Sequence, residues 1–287
     1  MILARIGGGL GNQMFQYAAA RRLAEQHRTG VYLDTWWFQN TPAGQTKRQY
    51  ELDQLSITGV VSPRRVYGVR EAPLLLKPMV LYRTFRPRYR AARERYFHFD
   101  PDVLTLPDKV WMSGFWFSEN YFADVAPIIR AEFAFRSDPS PENRACIEQM
   151  AGCDSVAVHV RRGDYAVESS WQGLMELSYY RRAAQFIRER CADPTFFVFS
   201  DDPEWVRANL SLGGEMCVID HNRDASGAED MRLMSMCRHN IIANSSYSWW
   251  GAWLNPHPDR IVVGPKRWMA NSRFDTRDVL PADWVAM

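Results

Sequence analysis

The chain has 287 residues, of which 46% are hydrophobic and 24% charged, a composition typical of a globular enzyme with a large core. A formal net charge of +2 gives no overall attraction to nucleic acid, so no nucleic-acid partner is expected. The five cysteines are odd in number and lack C-x-x-C spacing, which indicates reduced thiols rather than a disulfide framework. Without a signal peptide or a run of membrane-spanning length, the expected location is the cytoplasm.

Apolar runs alternate with amphipathic segments along the chain. Strands are predicted at 2–6, 31–34, 110–115, 155–161, 196–200, 216–220, 240–243 and 260–264, and helices at 11–27, 178–191, 203–210, 228–238 and 248–254. This alternation predicts parallel sheets with right-handed crossovers, and the part from about residue 151 is the cleaner Rossmann-like unit. Pro139-Ser140-Pro141 is interpreted as a linker, since proline restricts its own and the preceding backbone. The predicted domains are therefore 1–150 and 151–287.

Segment 63–96 is rich in arginine and carries only Glu71 and Glu94 as acidic residues. One hypothesis is a basic amphipathic surface that contacts anionic lipid or an acidic glycan. The alternative is a solvated face with leucines in the core, because charge runs usually just face water.

A glycine-rich turn, Gly7-Gly8-Gly9-Leu10-Gly11-Asn12-Gln13, follows the first predicted strand and opens the first helix. It fails as a dinucleotide fingerprint, because Asn12 stands where the third glycine is required, which argues against a nicotinamide-dependent enzyme. Its glycines still permit close backbone approach to a ligand. Asn12 and Gln13 offer amide donors and acceptors that suit hydroxyl groups.

The run His159-Val160-Arg161-Arg162-Gly163-Asp164-Tyr165 closes an apolar segment that is predicted as a buried strand. Two adjacent arginines at the carboxyl end of such a strand suit a phosphate, since each guanidinium can bind two oxygens at once. The alternative is an Arg-Arg-Gly-Asp turn closed by a local ion pair.

Two further motifs follow predicted strands. Asp201 and Asp202 could hold a divalent metal on a nucleotide diphosphate, accept from a guanine edge or a ribose, or cap the helix that begins at Pro203. Segment 244–251 could bind an anion at a helix N-terminus, or it could be a serine cap with tryptophans buried behind it. The histidines and cysteines have no zinc spacing, so no metal site is predicted.

Together these motifs, in this order from residue 8 to residue 252, resemble the α-1,2-fucosyltransferases of glycosyltransferase family eleven, in their bacterial form. The resemblance implies an α/β, GT-B-like fold: two Rossmann-like lobes with an interdomain cleft, the acceptor on the N-terminal lobe and the donor on the C-terminal one. It implies inverting transfer of L-fucose from GDP-β-L-fucose to the 2-hydroxyl of a galactose in a glycan acceptor, without metal or cofactor. The acceptor would be a lipopolysaccharide or O-antigen unit, reached from the cytoplasm or through peripheral contact with the inner membrane face.

The resemblance also implies roles for individual residues. Arg161 would bind the β-phosphate, the aspartates would face the guanine, and the whole donor-binding set would be His159, Arg161, Arg162, Asp201, Asp202, Ser245, Ser246, Tyr247 and Ser248. The acceptor side would comprise Gly9, Gly11, Asn12 and Gln13, with Asn12 at the transfer centre. Asp164 and Glu168 are alternative general bases, although Asp164 could equally orient an arginine. A non-catalytic glycan-binding protein and a fucosyltransferase of different linkage are the alternative functions.

Overall fold

The structure is a computed structural model that describes residues 1–41, 46–62, 89–163, 173–222 and 227–287. It contains two compact units, one formed by Met1–Asp53 and Ile57–Phe133, the other by Gln54–Ser56 and Ala134–Met287. The predicted domain boundary at residue 150 differs from this division, which falls after Phe133. The difference arises because residues 134–150 contribute a helix that packs on the second unit.

The first unit is built on a parallel sheet, with one long helix and short helical turns. Its described strands are β1 (Ile2–Arg5), β2 (Val31–Asp34), β3 (Val60–Val61), β4 (Arg90–Arg93) and β5 (Val110–Ser113), in the order β3-β2-β1-β5-β4. Its helices are α1 (Leu10–Gln26), α2 (Trp36–Gln39) and α3 (Ala126–Glu132), with 3-10 turns at Leu52–Gln54, Pro101–Thr105, Glu119–Tyr121 and Ala123–Val125. The predicted first helix and the strands near residues 2, 31 and 110 are confirmed.

The second unit carries a larger parallel sheet. Its described strands are β6 (Ser155–Val160), β7 (Thr195–Ser200), β8 (Met216–Ile219), β9 (His239–Ile241), β10 (Val262–Gly264) and β11 (Val285–Ala286), in the order β11-β10-β9-β6-β7-β8. Its helices are α4 (Pro141–Ala151), α5 (Leu177–Arg188), α6 (Pro203–Asn209), α7 (Ala228–Met236) and α8 (Ser246–Leu254). Numbered from β6, this is the Rossmann strand order 3-2-1-4-5-6.

Helix α4 begins where the sequence analysis placed a linker. Ser140 accepts a hydrogen bond of 3.2 Å from the Asn143 backbone N–H, and Pro141 occupies the first helical position. Proline is favoured there because its missing N–H would have no intrahelical acceptor. The linker interpretation therefore missed a helix start.

The core of the second unit follows the two-residue period of its central strands. Val156 and Val158 pack with α5 on one face of the sheet, while Ala157 and Phe197 pack with α7 on the other. Strand β6 is buried along its whole length, as expected for a strand covered on both faces.

The arginine-rich segment 63–96 is described only in part, because residues 63–88 lie outside the described ranges. Arg90–Arg93 forms β4, which is one of the two outer strands among those described in its sheet, and the Arg93 guanidinium lies 5.9 Å from the centre of the Trp111 ring. Charged side chains on an outer strand disfavour pairing with another chain. The lipid-contact hypothesis stays a prediction. Within the described ranges, the structure contains no helix of the length and apolarity needed to cross a bilayer.

Candidate functional site

The strand order of the second unit reverses between β6 and β9. From β6 the chain runs outward through β7 to β8, then returns to place β9 on the other side of β6. Open parallel sheets bind ligands beyond the carboxyl ends of their strands at such a switch point. Residues 159–162 leave β6 at this point, and residues 242–245 leave β9 there before α8 begins. Two motifs from distant parts of the sequence therefore meet at one edge.

Asp201 holds both arginines at the exit of β6. Its Oδ2 lies 2.8 Å from Arg161 Nη1, and its Oδ1 accepts a hydrogen bond of 2.9 Å from the Arg162 backbone N–H. The Arg161 and Asp201 side chains are 21% and 24% exposed, so the pair is partly desolvated. This carboxylate fixes the direction of a guanidinium whose planar fork matches the oxygens of a phosphate.

Arg162 is held in a different way. Its Nε lies 3.2 Å from Asp202 Oδ2, and its guanidinium carbon lies 3.6 Å from the centre of the Trp205 ring. Asp202 also caps α6, because its Oδ1 accepts a hydrogen bond of 3.2 Å from the Trp205 backbone N–H. The capping hypothesis is thus confirmed for Asp202. The ion pairs join neighbouring strand exits, and a guanine contact of either aspartate stays a prediction.

Gly163 permits this arrangement. A Cβ atom at this position would lie 2.6 Å from Asp201 Oδ2, closer than real Cβ atoms approach a side chain. Any larger residue would therefore displace the carboxylate that orients Arg161.

His159 lies at the same edge as a buried, neutral base. Burial and, to a smaller extent, the Arg161 charge lower its pKa from 6.5 to about 3, although Asp201 opposes this shift. Its ring centre lies 5.7 Å from that of Tyr247. Within the described residues its Nδ1 has no hydrogen-bond partner, and an orphaned buried nitrogen suits a bound polar ligand.

The first turn of α8 completes the switch point. Ser245 precedes the helix with an extended backbone and forms no side-chain cap among the described residues. The serine cap is therefore wrong, whereas the tryptophans predicted behind it, Trp249 and Trp250, are indeed buried. Ser248 is buried and donates to Ser245 O, while the Tyr247 hydroxyl donates to Gly227 O. The first amides of a helix lack intrahelical acceptors and carry the positive end of its dipole, an arrangement that favours anions.

Sequence reasoning missed Tyr180, which lies beneath the arginines. Its hydroxyl is buried without a hydrogen-bond partner among the described residues, and burial raises the pKa of this phenol. Only the fold brings this side chain to the exit of β6, so a single sequence carries no signal for it.

In the first unit, two glutamines hold the glycine-rich turn. Gln13 is fully buried and donates to Gly8 O and Gln49 O at 2.9 and 2.8 Å, while its Oε1 accepts from the Glu51 backbone N–H at 3.0 Å. Gln16 Oε1 accepts from the Gly7 backbone N–H at 2.9 Å. The structure therefore uses the amide of Gln13, predicted on the acceptor side, to fix the turn.

Asn12 lies over the same turn. Gly8 has a φ of +78°, and a Cβ added to it would lie 2.6 Å from Asn12 Nδ2. Gly9, in contrast, has nothing described within 4 Å of an added Cβ. Asn12 is half-buried, whereas Gly11 is buried. Asn12 and Gly9 are thus the predicted acceptor-side residues that the turn leaves partly accessible.

Two predicted residues cannot be placed. Asp164 and Glu168, the alternative bases, lie outside the described residues. Among those described, no group of three histidine, cysteine or carboxylate side chains could hold a metal ion.

Comparison with known proteins identifies the family. A family model described as Glycosyl transferase family 11 matches residues 79–287. The O-antigen biosynthesis glycosyltransferase WbnK of Escherichia coli is 30% identical over 285 residues, which span 93% of this chain and 94% of that protein. The chain belongs to glycosyl transferase family 11.

Two further similarities concern this family 11 glycosyltransferase. An alpha-1,2-colitosyltransferase of Escherichia coli is 30% identical over 301 residues, 99% of this chain and 98% of that protein. The crystal structure of NodZ alpha-1,6-fucosyltransferase soaked with GDP-fucose matches with a TM-score of 0.50 and 15% identity, over 91% of this chain and 94% of that one. This last similarity shows the fold alone, and with the two parallel sheets it confirms the predicted α/β, GT-B-like class.

Proposed function

We propose that this family 11 glycosyltransferase moves L-fucose from GDP-β-L-fucose to the 2-hydroxyl of a galactose in a glycan acceptor, with inversion. The proposal rests on the position of Arg161, which Asp201 orients at the switch point of the second sheet. The first turn of α8 follows β9, the strand on the other side of that switch point. That arrangement fits a nucleoside diphosphate. The similarity to an alpha-1,2-colitosyltransferase supports the linkage and makes a nucleotide-activated colitose the alternative donor.

The chemistry requires stabilisation of the leaving diphosphate. As the bond from the sugar to the β-phosphate breaks, negative charge grows on the phosphate oxygens while the sugar becomes cation-like. Arg161 and the first amides of α8 would stabilise that charge, a well-placed donor being worth roughly 3 kcal/mol in a transition state. Because Asp201 and Asp202 are each paired with an arginine, we propose that no metal takes part. A carboxylate, Asp164 or Glu168, would accept the proton of the attacking hydroxyl.

The biological setting is part of the same proposal. The similarity to an O-antigen biosynthesis glycosyltransferase supports a lipopolysaccharide or O-antigen unit as the acceptor. Transfer would take place in the cytoplasm or at the inner face of a membrane.

Arg161→Ala tests the proposal through release of GDP from GDP-fucose with lactose as acceptor. We expect kcat to fall about 100- to 1,000-fold with the fold intact, because the guanidinium acts in the transition state. Arg161→Lys should restore little, since an ammonium cannot bind two oxygens in one plane.

The matched control is Arg238→Ala. Arg238 pairs with Asp154 at 2.6 Å, and these residues precede β9 and β6, at the opposite edge of the same two strands. This variant should keep normal turnover. Near-normal turnover in Arg161→Ala would contradict the proposal.

A further inference from the structure

An aromatic ring is exposed beyond the carboxyl end of β5 in the first unit. Phe115 is 43% exposed, so part of its apolar ring contacts solvent. Its ring stacks on Phe117 with ring centres 5.0 Å apart and planes 13° from parallel. Phe117 therefore supports one face of the Phe115 ring from below, and the outer part of that ring contacts solvent.

The backbone that presents Phe115 is strained and held in place. Trp116 has a φ of +62°, in the left-handed region that a bulky residue rarely adopts. Glu94, just after β4, accepts hydrogen bonds of 2.8 Å from the backbone N–H groups of both Phe115 and Trp116. A Cβ on Gly114 would lie 2.5 Å from Glu94 Cβ, so glycine is required there. Strain of this kind persists where the surroundings enforce it, and it concentrates at ligand-binding positions.

Phe115 and the glycine-rich turn follow two paired strands of one sheet, β5 and β1. The Phe117 ring packs edge-on against Phe15 of α1, with centres 5.2 Å apart, and the first turn of α1 carries Asn12. Strands β1 and β5 pair in parallel, with Ala4 opposite Met112, so their carboxyl ends lie side by side. The exposed ring and the half-buried Asn12 amide therefore belong to one edge of one sheet.

We propose that Phe115 is the stacking platform for the galactose ring of the acceptor. The axial 4-hydroxyl of galactose leaves the C–H groups of carbons 3, 4 and 5 on one face, and this apolar patch matches a single flat ring. The sugar hydroxyls on its rim remain available to the Asn12 amide, which can both donate and accept. One exposed ring is far smaller than a protein–protein interface, which favours a small, neutral ligand.

This inference rests on the proposed function for the identity of the acceptor. Its test is therefore designed around acceptor affinity rather than transfer alone. Phe115→Ala should raise the KM for lactose about tenfold, since a stacked ring contributes on the order of one tenfold step in affinity. The kcat and the KM for GDP-fucose should stay within about twofold of the wild type, because the residues proposed to bind the donor all belong to the second unit, whereas Phe115 belongs to the first.

Two variants separate stacking from a structural role. Phe115→Trp keeps a flat aromatic face and should retain a KM near that of the wild type, whereas Phe115→Leu keeps the apolar volume without a ring and should behave like alanine. Met236→Ala removes a side chain that is 39% exposed at the end of α7 in the second unit, and it should change neither KM. An unchanged lactose KM in Phe115→Ala, or an equal loss in Phe115→Trp, would overturn the stacking platform.

Lactose binding without donor, followed by saturation-transfer NMR, distinguishes this inference from the proposed function. A wild-type protein that binds lactose through Phe115 but transfers no fucose would overturn the proposed donor and keep the platform. Fucose transfer accompanied by lactose signals that are identical in the wild type and in Phe115→Ala would overturn the platform and keep the donor.

Discussion

Among single residues, Asp201 links the ends of two neighbouring strands. One carboxylate receives both the Arg161 guanidinium and the Arg162 backbone amide, so the exit of β6 is fixed to the exit of β7. A carboxylate used in this way orients its arginine but also competes with phosphate for it. Binding of a diphosphate to Arg161 must therefore be strong enough to share the guanidinium with Asp201.

The buried His159 predicts how the stability of the fold depends on pH. Its pKa is about 3 when folded and 6.5 when exposed, so the unfolded chain binds a proton that the folded chain does not. Stability at neutral pH is therefore lost as the pH falls from 6.5 towards 3, by up to about 1.4 kcal/mol per pH unit. His159→Gln cannot titrate, so its free energy of unfolding should fall less steeply over this range in urea titrations.

The control for this prediction is His98→Gln. The His98 side chain is partly exposed, and its Nδ1 lies 3.0 Å from Phe99 O. This variant measures how a histidine-to-glutamine substitution at a partly exposed position changes the slope, for comparison with His159→Gln. Equal slopes for His159→Gln and the wild type would show that His159 does not titrate as a buried base.

Among the structural elements, the glycine-rich turn contains two adjacent glycines that should tolerate a side chain differently. Gly8 has a positive φ and no room for a Cβ, whereas Gly9 has a φ of −74° and space around it. Gly8→Ala should lower the free energy of unfolding by about 1–2 kcal/mol and displace Asn12, with a loss of turnover. Gly9→Ala should stay within about 0.5 kcal/mol of the wild type. Thermal unfolding of both variants decides, and equal losses would mean that the turn tolerates a side chain equally at both positions.

The strands also differ in how well the sequence predicts them. Strands β6 and β7 were found because apolar β-branched and aromatic residues fill them. The motifs follow these two strands and also β1 and β9, which lie in different sheets. Strands β3 and β11 are two residues long, too short for a periodic pattern, and β4 consists of arginines and alanines. An alternating pattern requires one buried and one exposed face, so an outer strand that is exposed on both faces, as β3 is, gives no such signal.

The residues of the candidate site likewise fall into those that the sequence predicts and those that only the fold reveals. Arg161 could be found because a guanidinium suits a phosphate, and Asp201 because a carboxylate suits a metal ion, a guanine edge or a ribose. Each of the two residues directly follows a predicted strand. Tyr180 and Glu94 could not, since their roles depend on contacts with residues far along the chain. The pairing of Asp201 with Arg161 also required the strand order, which a single sequence predicts only as a class.

At the scale of the whole molecule, each unit places its motif at the carboxyl edge of its own parallel sheet. The glycine-rich turn follows β1 in the first unit, and the arginines follow β6 in the second. The residues proposed to bind the donor all come from the second unit, whereas Phe115 and Asn12 belong to the first. Donor and acceptor affinities should therefore respond to different sets of substitutions.

Binding of GDP in the absence of an acceptor should stabilise the folded protein. At a concentration 100 times its Kd, GDP should stabilise the protein by about 2.7 kcal/mol, and the gain should persist in EDTA because arginines and helix amides hold the phosphates. Hydrogen exchange should slow at the end of β6 and the start of α8, with little change in α1. The stabilisation is measured as the rise in Tm on addition of GDP. Arg161→Ala should lose most of this rise, while Phe115→Ala should keep it. If the shift disappears in EDTA and returns with Mg²⁺, the diphosphate is held through a metal on Asp201 and Asp202, and their pairs with the arginines must open when it binds.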